Sequence, residues 1–247
     1  MNLLALALRQ GDDERRACFA LVEEVELQAS SALPAALLSE FEQARFEELL
    51  FPLKRRGFLL GRLAAKRALG ALLAEPDLRR IEIRSGLFGQ PMVHHPRADC
   101  AEVTVSHSQG LAVALAYSGE FPVGVDLETV ATGSADTILG ELQISDAEKV
   151  WLASETVGRA TACGILWTGR EALGKSMKIG LSCPLGILSF GHIESAGAAA
   201  WIGQYENFPQ FRCLSQEIDG RVLSIAMPVA VELASWPLAA ALIRADI

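Results

Sequence analysis

Long apolar runs, paired cysteines and an excess of basic residues are all missing from this chain of 247 residues. No apolar stretch approaches the roughly 20 residues that a membrane span requires, so no membrane helix is expected. The apolar run at residues 3–8 has no basic segment ahead of it, so it is not expected to be a signal peptide. The five cysteines include no Cys-x-x-Cys pair, which argues against a metal or disulfide role and fits a reducing cytoplasm.

The net charge of -8 argues against a general nucleic-acid binder, because such a protein needs a basic face to offset phosphate repulsion. The total charge hides a local reversal, since residues 54–74 contain basic side chains and no acidic one. This segment predicts a local anion site in an otherwise acidic protein. Its cations are Lys54, Arg55, Arg56, Arg62, Lys66 and Arg67.

The segment 123–128, Val-Gly-Val-Asp-Leu-Glu, alternates apolar with small or acidic residues and predicts a strand with its valines and leucine inward. Asp126 and Glu128 then share a face about 7 Å apart, with no cation between them in the sequence. Carboxylates held this close repel each other, and a hard divalent cation relieves the repulsion. An exposed acidic strand edge is the simpler alternative. The apolar segment 111–117 is expected to be a strand buried on both faces and paired with the acidic strand.

Helices are predicted at residues 39–50, 55–73 and 166–178 from apolar residues that recur at the helical period. A capping box opens the first, and Pro52 is expected to end it. A second capping box at residues 144–148 is expected to start a further helix. Residues 129–140 are small and polar and are expected to be mobile.

On the third predicted helix, Trp167, Glu171 and Lys175 are each four residues apart and therefore share one face. Taken alone, Glu171 and Lys175 would be read as a surface ion pair. Together with the strand carboxylates they suggest an Mg²⁺ site with three acidic ligands, beside which Lys175 supplies a charge for a phosphate.

An internal repeat bears on the architecture. Residues 38–42, Leu-Ser-Glu-Phe-Glu, match residues 144–148, Ile-Ser-Asp-Ala-Glu, and the pair at 61–62, Gly-Arg, matches the pair at 169–170 at nearly the same offset. The repeat predicts an α+β protein built as a pseudo-twofold arrangement of two similar subdomains, 1–120 and 121–247, with a ligand cleft between them.

The motifs together resemble the 4'-phosphopantetheinyl transferases of the Sfp type. That family has a Gly-[Val/Ile]-Asp-[Val/Ile/Leu]-Glu strand, present at 124–128, and a Trp-x-x-[Lys/Arg]-Glu-Ala-x-x-Lys helix about 40 residues later, present at 167–175. Its Ser-His-Ser motif stands at 106–108, and its basic helix with a Gly-Arg pair resembles 55–62. The resemblance covers roughly residues 38–185.

The resemblance implies transfer of the phosphopantetheine arm of coenzyme A to a serine of an acyl or peptidyl carrier protein, with release of 3',5'-ADP. It assigns Asp126, Glu128 and Glu171 to Mg²⁺ and Lys175 to charge on the phosphates. The base for the carrier serine is either Glu171 or a water that it orients on the metal. A monomer is expected, because the second half can supply what a partner subunit otherwise would, and the cysteine usage predicts a cytoplasmic location.

The resemblance also implies a set of coenzyme A contacts. The family's Gly-Lys-Pro loop reads Gly-Gln-Pro at 89–91, so a charge near the nucleotide is missing. For Arg62 a solvated helix face is an equal alternative, and Arg170 is expected to be exposed. The implied contacts are Arg55, Arg56, Arg62, Gln90, Pro91, Ser106 and His107.

Two other functions are kept as alternatives. The first is a non-catalytic homologue that binds coenzyme A or a carrier protein; it is supported by Gln90, which replaces the family's lysine. The presence of the three acids and Lys175 argues against it. An unrelated Mg²⁺-dependent phosphate-transfer enzyme is disfavoured, because the sequence has no glycine-rich loop of the P-loop spacing.

Overall fold

The structure is a computed structural model that describes residues 2–28, 32–98, 100–129, 135–154, 157–197 and 199–234. The tail after Trp236, in which the sequence shows no functional signal, lies outside the described residues, as do residues 130–134 of the predicted polar segment. Among the helices described, none combines the length and the hydropathy needed to cross a membrane. The chain divides into two compact units, of which the first runs to Phe121 and takes in Leu233, and the second runs from Pro122 to Glu232.

The first unit combines an antiparallel sheet with a long helix. Its sheet has the order β12-β1-β2-β6-β5, and β3 and β4 form a separate hairpin. The elements are β1 Asn2–Gln10, β2 Asp13–Glu23, α1 Val25–Gln28, α2 Leu33–Leu37, α3 Glu40–Glu47, α4 Pro52–Leu73, β3 Glu82–Ser85, β4 Pro91–His94, β5 Ala101–Ser108 and β6 Leu111–Ser118, with β12 at Glu232–Ala234.

The second unit repeats this plan. Its five strands form one antiparallel sheet in the order β7-β11-β10-β9-β8, against which a long helix packs. The elements are β7 Gly124–Thr129, α5 Ala135–Glu141, α6 Asp146–Ser154, α7 Arg159–Ser176, a 3-10 turn at Leu185–Leu188, β8 Phe190–Gly197, β9 Ala200–Tyr205, β10 Phe211–Ile218 and β11 Arg221–Pro228.

The two units share one succession of elements. A short capped helix leads into a long helix, and antiparallel strands follow, as α3, α4, β5 and β6 in the first unit and α6, α7, β10 and β11 in the second. The strand ahead of the helices pairs with the last of these strands in each unit, β2 with β6 and β7 with β11. The predicted α+β class and the likeness of the two halves are therefore confirmed.

Both predicted capping boxes are present, and each capping glutamate does more than cap. In the first unit Ser39 N donates to Glu42 over 3.0 Å, and the same carboxylate accepts from Lys66 Nζ and from Ile83 N. Lys66 is fully buried and also donates to the carbonyl of Leu37 over 2.7 Å. One buried carboxylate thus ties the start of α3 to α4 and β3.

Several predictions of pairing and boundaries are wrong. Strand β6 is buried as predicted, but it pairs with β2 and β5, whereas β7 pairs with β11. The run between β6 and β7 contains Pro122, and the buried Phe121 holds it to the core, so it is not a tight hairpin turn. Pro52 begins α4 and does not end α3, because the first turn of a helix needs no proline N–H.

Two helices differ from the sequence analysis. Helix α5 was not predicted, and residues 135–140 of it fall in the segment expected to be mobile, whereas α7 begins at Arg159, ahead of the predicted start at residue 166. The first turns of α7 carry small residues, which bury well against neighbours but give little apolar periodicity in the sequence.

Candidate active site

The site begins with the close packing of β7 on α7. A Cβ built at Gly124 would lie 1.9 Å from the carbonyl oxygen of Ala172 and 2.5 Å from the amide nitrogen of Ser176. Because these are backbone atoms of a helix, neither can move aside cheaply. Glycine at this position lets the strand lie directly on α7, next to the helix face that carries Glu171 and Lys175.

Gly124→Ala is expected to destabilise the protein by about 3 kcal/mol or more, because an added methyl group would overlap helix backbone. Urea unfolding followed by circular dichroism measures the change. Gly140→Ala is the matched control, since a Cβ added at this position of α5 would have nothing within 4 Å and alanine favours a helix by up to about 1 kcal/mol. Equal stability of the two variants would contradict the close packing of β7 on α7.

Asp126 is buried and is bonded to the lysine of the helix motif. Its side chain is 4% exposed, and Lys175 Nζ donates to Asp126 Oδ1 over 2.6 Å. Lys175 is 25% exposed, so its ammonium reaches both the carboxylate and solvent. The simpler alternatives, an exposed acidic edge at Asp126 and a surface pair of Glu171 with Lys175, are therefore wrong.

Glu171 lies on the same helix face and within electrostatic range of both strand carboxylates. Its pKa is raised to about 7, mainly by burial and also by the charges of Asp126 and Glu128, and the charge of Lys175 opposes this rise. A carboxyl group with a pKa near neutrality can take up or release a proton at working pH. Perturbation of this kind by burial and like charges is typical of functional sites.

The raised pKa of Glu171 makes stability depend on pH in a stated direction. Below about 4.5 the carboxyl is protonated in both the folded and the unfolded chain, whereas between about 4.5 and 7 only the unfolded chain ionises it. The stabilising contribution of the bound proton is therefore lost as the pH rises to about 7.

Without metal, in EDTA, Glu171→Gln should consequently raise the melting temperature at pH 8, and the gain over wild type should vanish near pH 4. Differential scanning calorimetry across this range checks the prediction. Glu141→Gln, also in the second unit, is the control and should show no such pH-dependent gain. A constant difference between wild type and Glu171→Gln at all pH values would contradict the raised pKa.

The acidic residues suit Mg²⁺ by their chemistry. The charges of Asp126 and Glu128 raise the pKa of Glu171, and a divalent cation among the three carboxylates would remove that repulsion. In the described parts of the chain, no three His, Cys, Asp or Glu side chains are grouped closely enough to form a ready-made cage. Mg²⁺ keeps several waters and is usually bound through one or two carboxylates together with substrate phosphates, so it does not require such a cage. The residue types therefore suit Mg²⁺ by their chemistry, although the three carboxylates do not form a ready-made site among the described residues.

A cavity of about 240 Å³ lies beside Glu128 in the second unit. Its walls are mainly apolar and come from α5 and the first half of α7, including Ile138, Cys163 and Trp167. Trp167 is the first residue of the helix motif, so the cavity lies along the same side of α7 as Glu171. Its lining suits an apolar group near the carboxylates.

In the first unit, His107 of the Ser-His-Ser motif lies over the basic helix. A Cβ added at Gly57 would come within 3.3 Å of its imidazole ring, and one added at Gly61 within 3.5 Å. The two glycines therefore make room for the ring on α4. Ser106 is buried in β5, and His107 is exposed. The spacing of the glycines in the basic helix is thereby explained.

Arg55 and Arg56 line a cavity of about 410 Å³ at the start of α4. Arg56 forms an ion pair with Glu24 at 2.8 Å, and the guanidinium of Arg55 lies 4.8 Å from the ring centroid of Phe46. Half of the Arg56 side chain is exposed, so this cation can reach an anion in solvent. Arg55 and Arg56 are therefore grouped at the start of α4, beside this cavity.

Arg62 and Gln90 are engaged in other contacts within the first unit. Arg62 lies 3.0 Å from Glu42 and donates to the carbonyl of Ile83, and its side chain is 17% exposed. Gln90 accepts a hydrogen bond from Phe88 N over 2.9 Å and so closes the hairpin turn. Pro91 starts β4 opposite Ser85. These contacts give Arg62 and Gln90 structural roles, and Arg62 is not on a solvated helix face.

Arg170 is the clearest misplacement, since it is fully buried and not exposed as predicted. It forms an ion pair with Glu148, the glutamate of the second capping box, at 2.5 Å. The repeat already aligned Arg170 with Arg62, and both arginines contact the capping glutamate of their own unit. The match between Arg62 and Arg170 in the repeat was therefore a sequence signal that the two arginines have the same role.

Comparisons with solved structures give partial matches. A holo-(acyl-carrier-protein) synthase from Bacillus anthracis in complex with CoA (3',5'-ADP) matches 47% of this chain and 97% of its own, at 20% identity and a TM-score of 0.38. A holo-ACP synthase from Plasmodium yoelii matches 48% of this chain and 97% of its own, at 17% identity and a TM-score of 0.37. The synthase from Neisseria meningitidis matches 41% of this chain and 95% of its own, at 16% identity and a TM-score of 0.35.

These neighbours are holo-acyl-carrier-protein synthases, and each aligns with about half of this chain. At these identities and TM-scores the similarity concerns only part of the fold, and it says nothing about what this chain binds. No protein-family model and no curated protein matches the sequence.

Proposed function

We propose that this protein transfers the 4'-phosphopantetheine group of coenzyme A to a serine of an acyl or peptidyl carrier protein, in an Mg²⁺-dependent reaction that releases 3',5'-ADP. The observation that carries the proposal is the grouping on β7 and α7. The two motifs that resemble the transferase family lie far apart in sequence, yet Lys175 donates a hydrogen bond to Asp126, and the charges of both strand acids raise the pKa of Glu171.

Asp126, Glu128 and Glu171 would hold Mg²⁺, which supplies neutralisation of the pyrophosphate and polarisation of the phosphorus under attack. Lys175 is then available to stabilise charge on the phosphate oxygens as the bond breaks. Its ammonium is partly exposed, so it can contact a phosphate without first leaving a closed core. The rate enhancement comes mainly from positioning and electrostatics.

Glu171 is suited to receive the proton of the carrier serine. Its pKa is about 7 without metal, and bound Mg²⁺ would lower that pKa and so keep the carboxylate ionised and able to accept a proton at neutral pH. A water oriented by Glu171 could act in its place, and both routes need Glu171 ionised. Transfer activity should therefore fall on the acid side as Glu171 becomes protonated.

The family resemblance assigns Arg55, Arg56, Ser106 and His107 to the phosphates of coenzyme A that do not react. Arg55 and Arg56 carry guanidinium groups suited to bidentate contact with phosphate, and Ser106 and His107 supply further hydrogen-bonding groups. The missing lysine at Gln90 leaves the nucleotide with one cation fewer than the family pattern provides. Coenzyme A, a carrier protein and Mg²⁺ are thus the proposed partners, and the proposed location is the cytoplasm.

One assay separates this function from the alternative of a non-catalytic homologue that binds coenzyme A or a carrier protein. The protein is incubated with coenzyme A, Mg²⁺ and apo carrier proteins from fatty-acid, polyketide and peptide synthases, and the carriers are weighed by mass spectrometry. A mass increase equal to one phosphopantetheine group is expected on at least one carrier. Binding of coenzyme A with no mass change on any carrier would favour the non-catalytic alternative.

A further inference from the structure

The guanidinium of Arg170 is held from several sides in the interior of the second unit. It donates to Glu148 Oε2 over 2.5 Å, to the carbonyl of Leu142, and to the carbonyl of Leu185 over 3.1 Å. These acceptors come from α6, from the turn ahead of it and from the 3-10 turn after α7. A planar guanidinium satisfied in several directions has little rotational freedom.

Glu148 also connects Arg170 to the sheet of the second unit through hydrogen bonds. Its Oε2 also accepts from Ser145 N over 2.8 Å, and its Oε1 accepts from Phe190 N over 2.9 Å. Phe190 packs against α7 at Gly169, where an added Cβ would lie 2.4 Å from the phenyl ring. The Arg170–Glu148 ion pair therefore ties the middle of α7 to α6 and to the first residue of β8.

Arg170 directly precedes Glu171, and successive residues of an α-helix are about 100° apart around its axis. The side of α7 with Arg170 is buried against α6, whereas the side with Lys175 meets Asp126. A side chain ends about 5–6 Å from the helix axis, so a rotation of roughly 10° would move the Glu171 carboxylate by about 1 Å. A misplacement of that size can cost about 100-fold in rate.

The first unit contains the same kind of ion pair without a catalytic neighbour. Lys66 is fully buried, bonds Glu42 and donates to the carbonyl of Leu37. Its neighbours on α4 are Ala65 and Arg67, so no carboxylate depends on the rotation of that helix at this point. Lys66 is therefore a control for a buried ion pair with a purely structural role, although the repeat aligns Arg170 with Arg62 and not with Lys66.

We propose that Arg170 is a positioning residue for the transfer reaction: by pairing with Glu148 it fixes the rotation of α7 so that Glu171 faces Asp126. The proposal rests on the proposed function, in which Glu171 is a metal ligand and the candidate base. Arg170 itself touches neither substrate nor metal in this role.

The test compares Arg170→Met and Arg170→Lys with Lys66→Met, each at a temperature at which thermal scans show it folded. With an apo carrier and saturating Mg²⁺, Arg170→Met should lower kcat by about 100-fold and change the KM for coenzyme A by less than about threefold. Arg170→Lys keeps the positive charge but lacks the planar set of guanidinium donors, so its kcat should fall by about tenfold. Lys66→Met should lower the melting temperature but keep kcat within about threefold of wild type.

Two results would overturn the proposal. One is a folded Arg170→Met variant whose kcat is within about threefold of wild type. If Arg170→Met does not fold, the same result for a folded Arg170→Lys variant counts instead. The other is a Lys66→Met variant that loses as much kcat as Arg170→Met. Either outcome would make the Arg170–Glu148 pair a stabilising contact only.

A crystal structure of the folded Arg170 variant separates failure of this proposal from failure of the proposed function. If wild type transfers to no carrier, the proposed function fails, and the crystal structure still decides the role of Arg170. Displacement of Glu171 by about 1 Å relative to Asp126 supports positioning. An unchanged Glu171, with the Lys175 contact to Asp126 intact, refutes it.

Discussion

Asp126→Ala is expected to lower the transfer rate by at least about 100-fold, because it removes both a proposed metal ligand and the partner of Lys175. The loss should lie in kcat, since the metal and Lys175 stabilise charge that develops as the phosphate bond breaks. Rates are measured by mass spectrometry of the carrier at saturating coenzyme A and Mg²⁺.

Asp126→Asn is the companion variant, because it keeps the shape of the side chain and can accept a hydrogen bond from Lys175. Its kcat should fall about as far as that of Asp126→Ala if charge on the metal is what matters. Both variants should keep the near-ultraviolet circular dichroism of wild type. Near-normal turnover in either folded variant would mean that the metal site is wrongly assigned.

Glu148→Ala should cause a large loss of stability in the second unit. It leaves the Arg170 guanidinium buried without its carboxylate, and it removes the acceptor for Ser145 N and Phe190 N. Removing one partner of a buried ion pair costs about 3–5 kcal/mol. For a chain of this size that loss corresponds to a fall in melting temperature of roughly 6–20 °C.

Lys149→Ala provides the control, since it changes the next residue of the same helix. Lys149 pairs with Asp146 at 2.7 Å, but both side chains are largely exposed. Exposed pairs of this kind contribute at most about 1 kcal/mol, so the melting temperature should change little. A loss in Lys149→Ala equal to that in Glu148→Ala would show that helix α6, and not the buried pair, determines the stability.

The sequence was most informative where structure depends on neighbours along the chain. The capping boxes at Ser39 and Ser145 were predicted, because a capping box is a contact between residues three apart. The repeat was visible because each unit starts its helices with the same local signals. The acids of β7 and the carboxyl and amine of α7 were found from their spacing and from the family resemblance.

Pairings between distant residues were not predictable in the same way. The acidic strand was expected beside its neighbour in sequence, yet it pairs with β11, about a hundred residues later. Alternation shows that a segment is a strand and which face is apolar, but it does not select the partner strand. Burial likewise depends on what packs against a side chain, which is why Arg170 was expected at the surface.

The sequence by itself thus determined the α+β class, the two similar halves and the acidic and basic residues of the candidate site. Only the tertiary structure decided that Lys175 bonds Asp126, that Glu171 has a pKa of about 7, and that Gly124 permits β7 to lie on α7. Residue types and spacings are local properties of the chain, whereas a pKa and a close approach are set by atoms that only folding brings together.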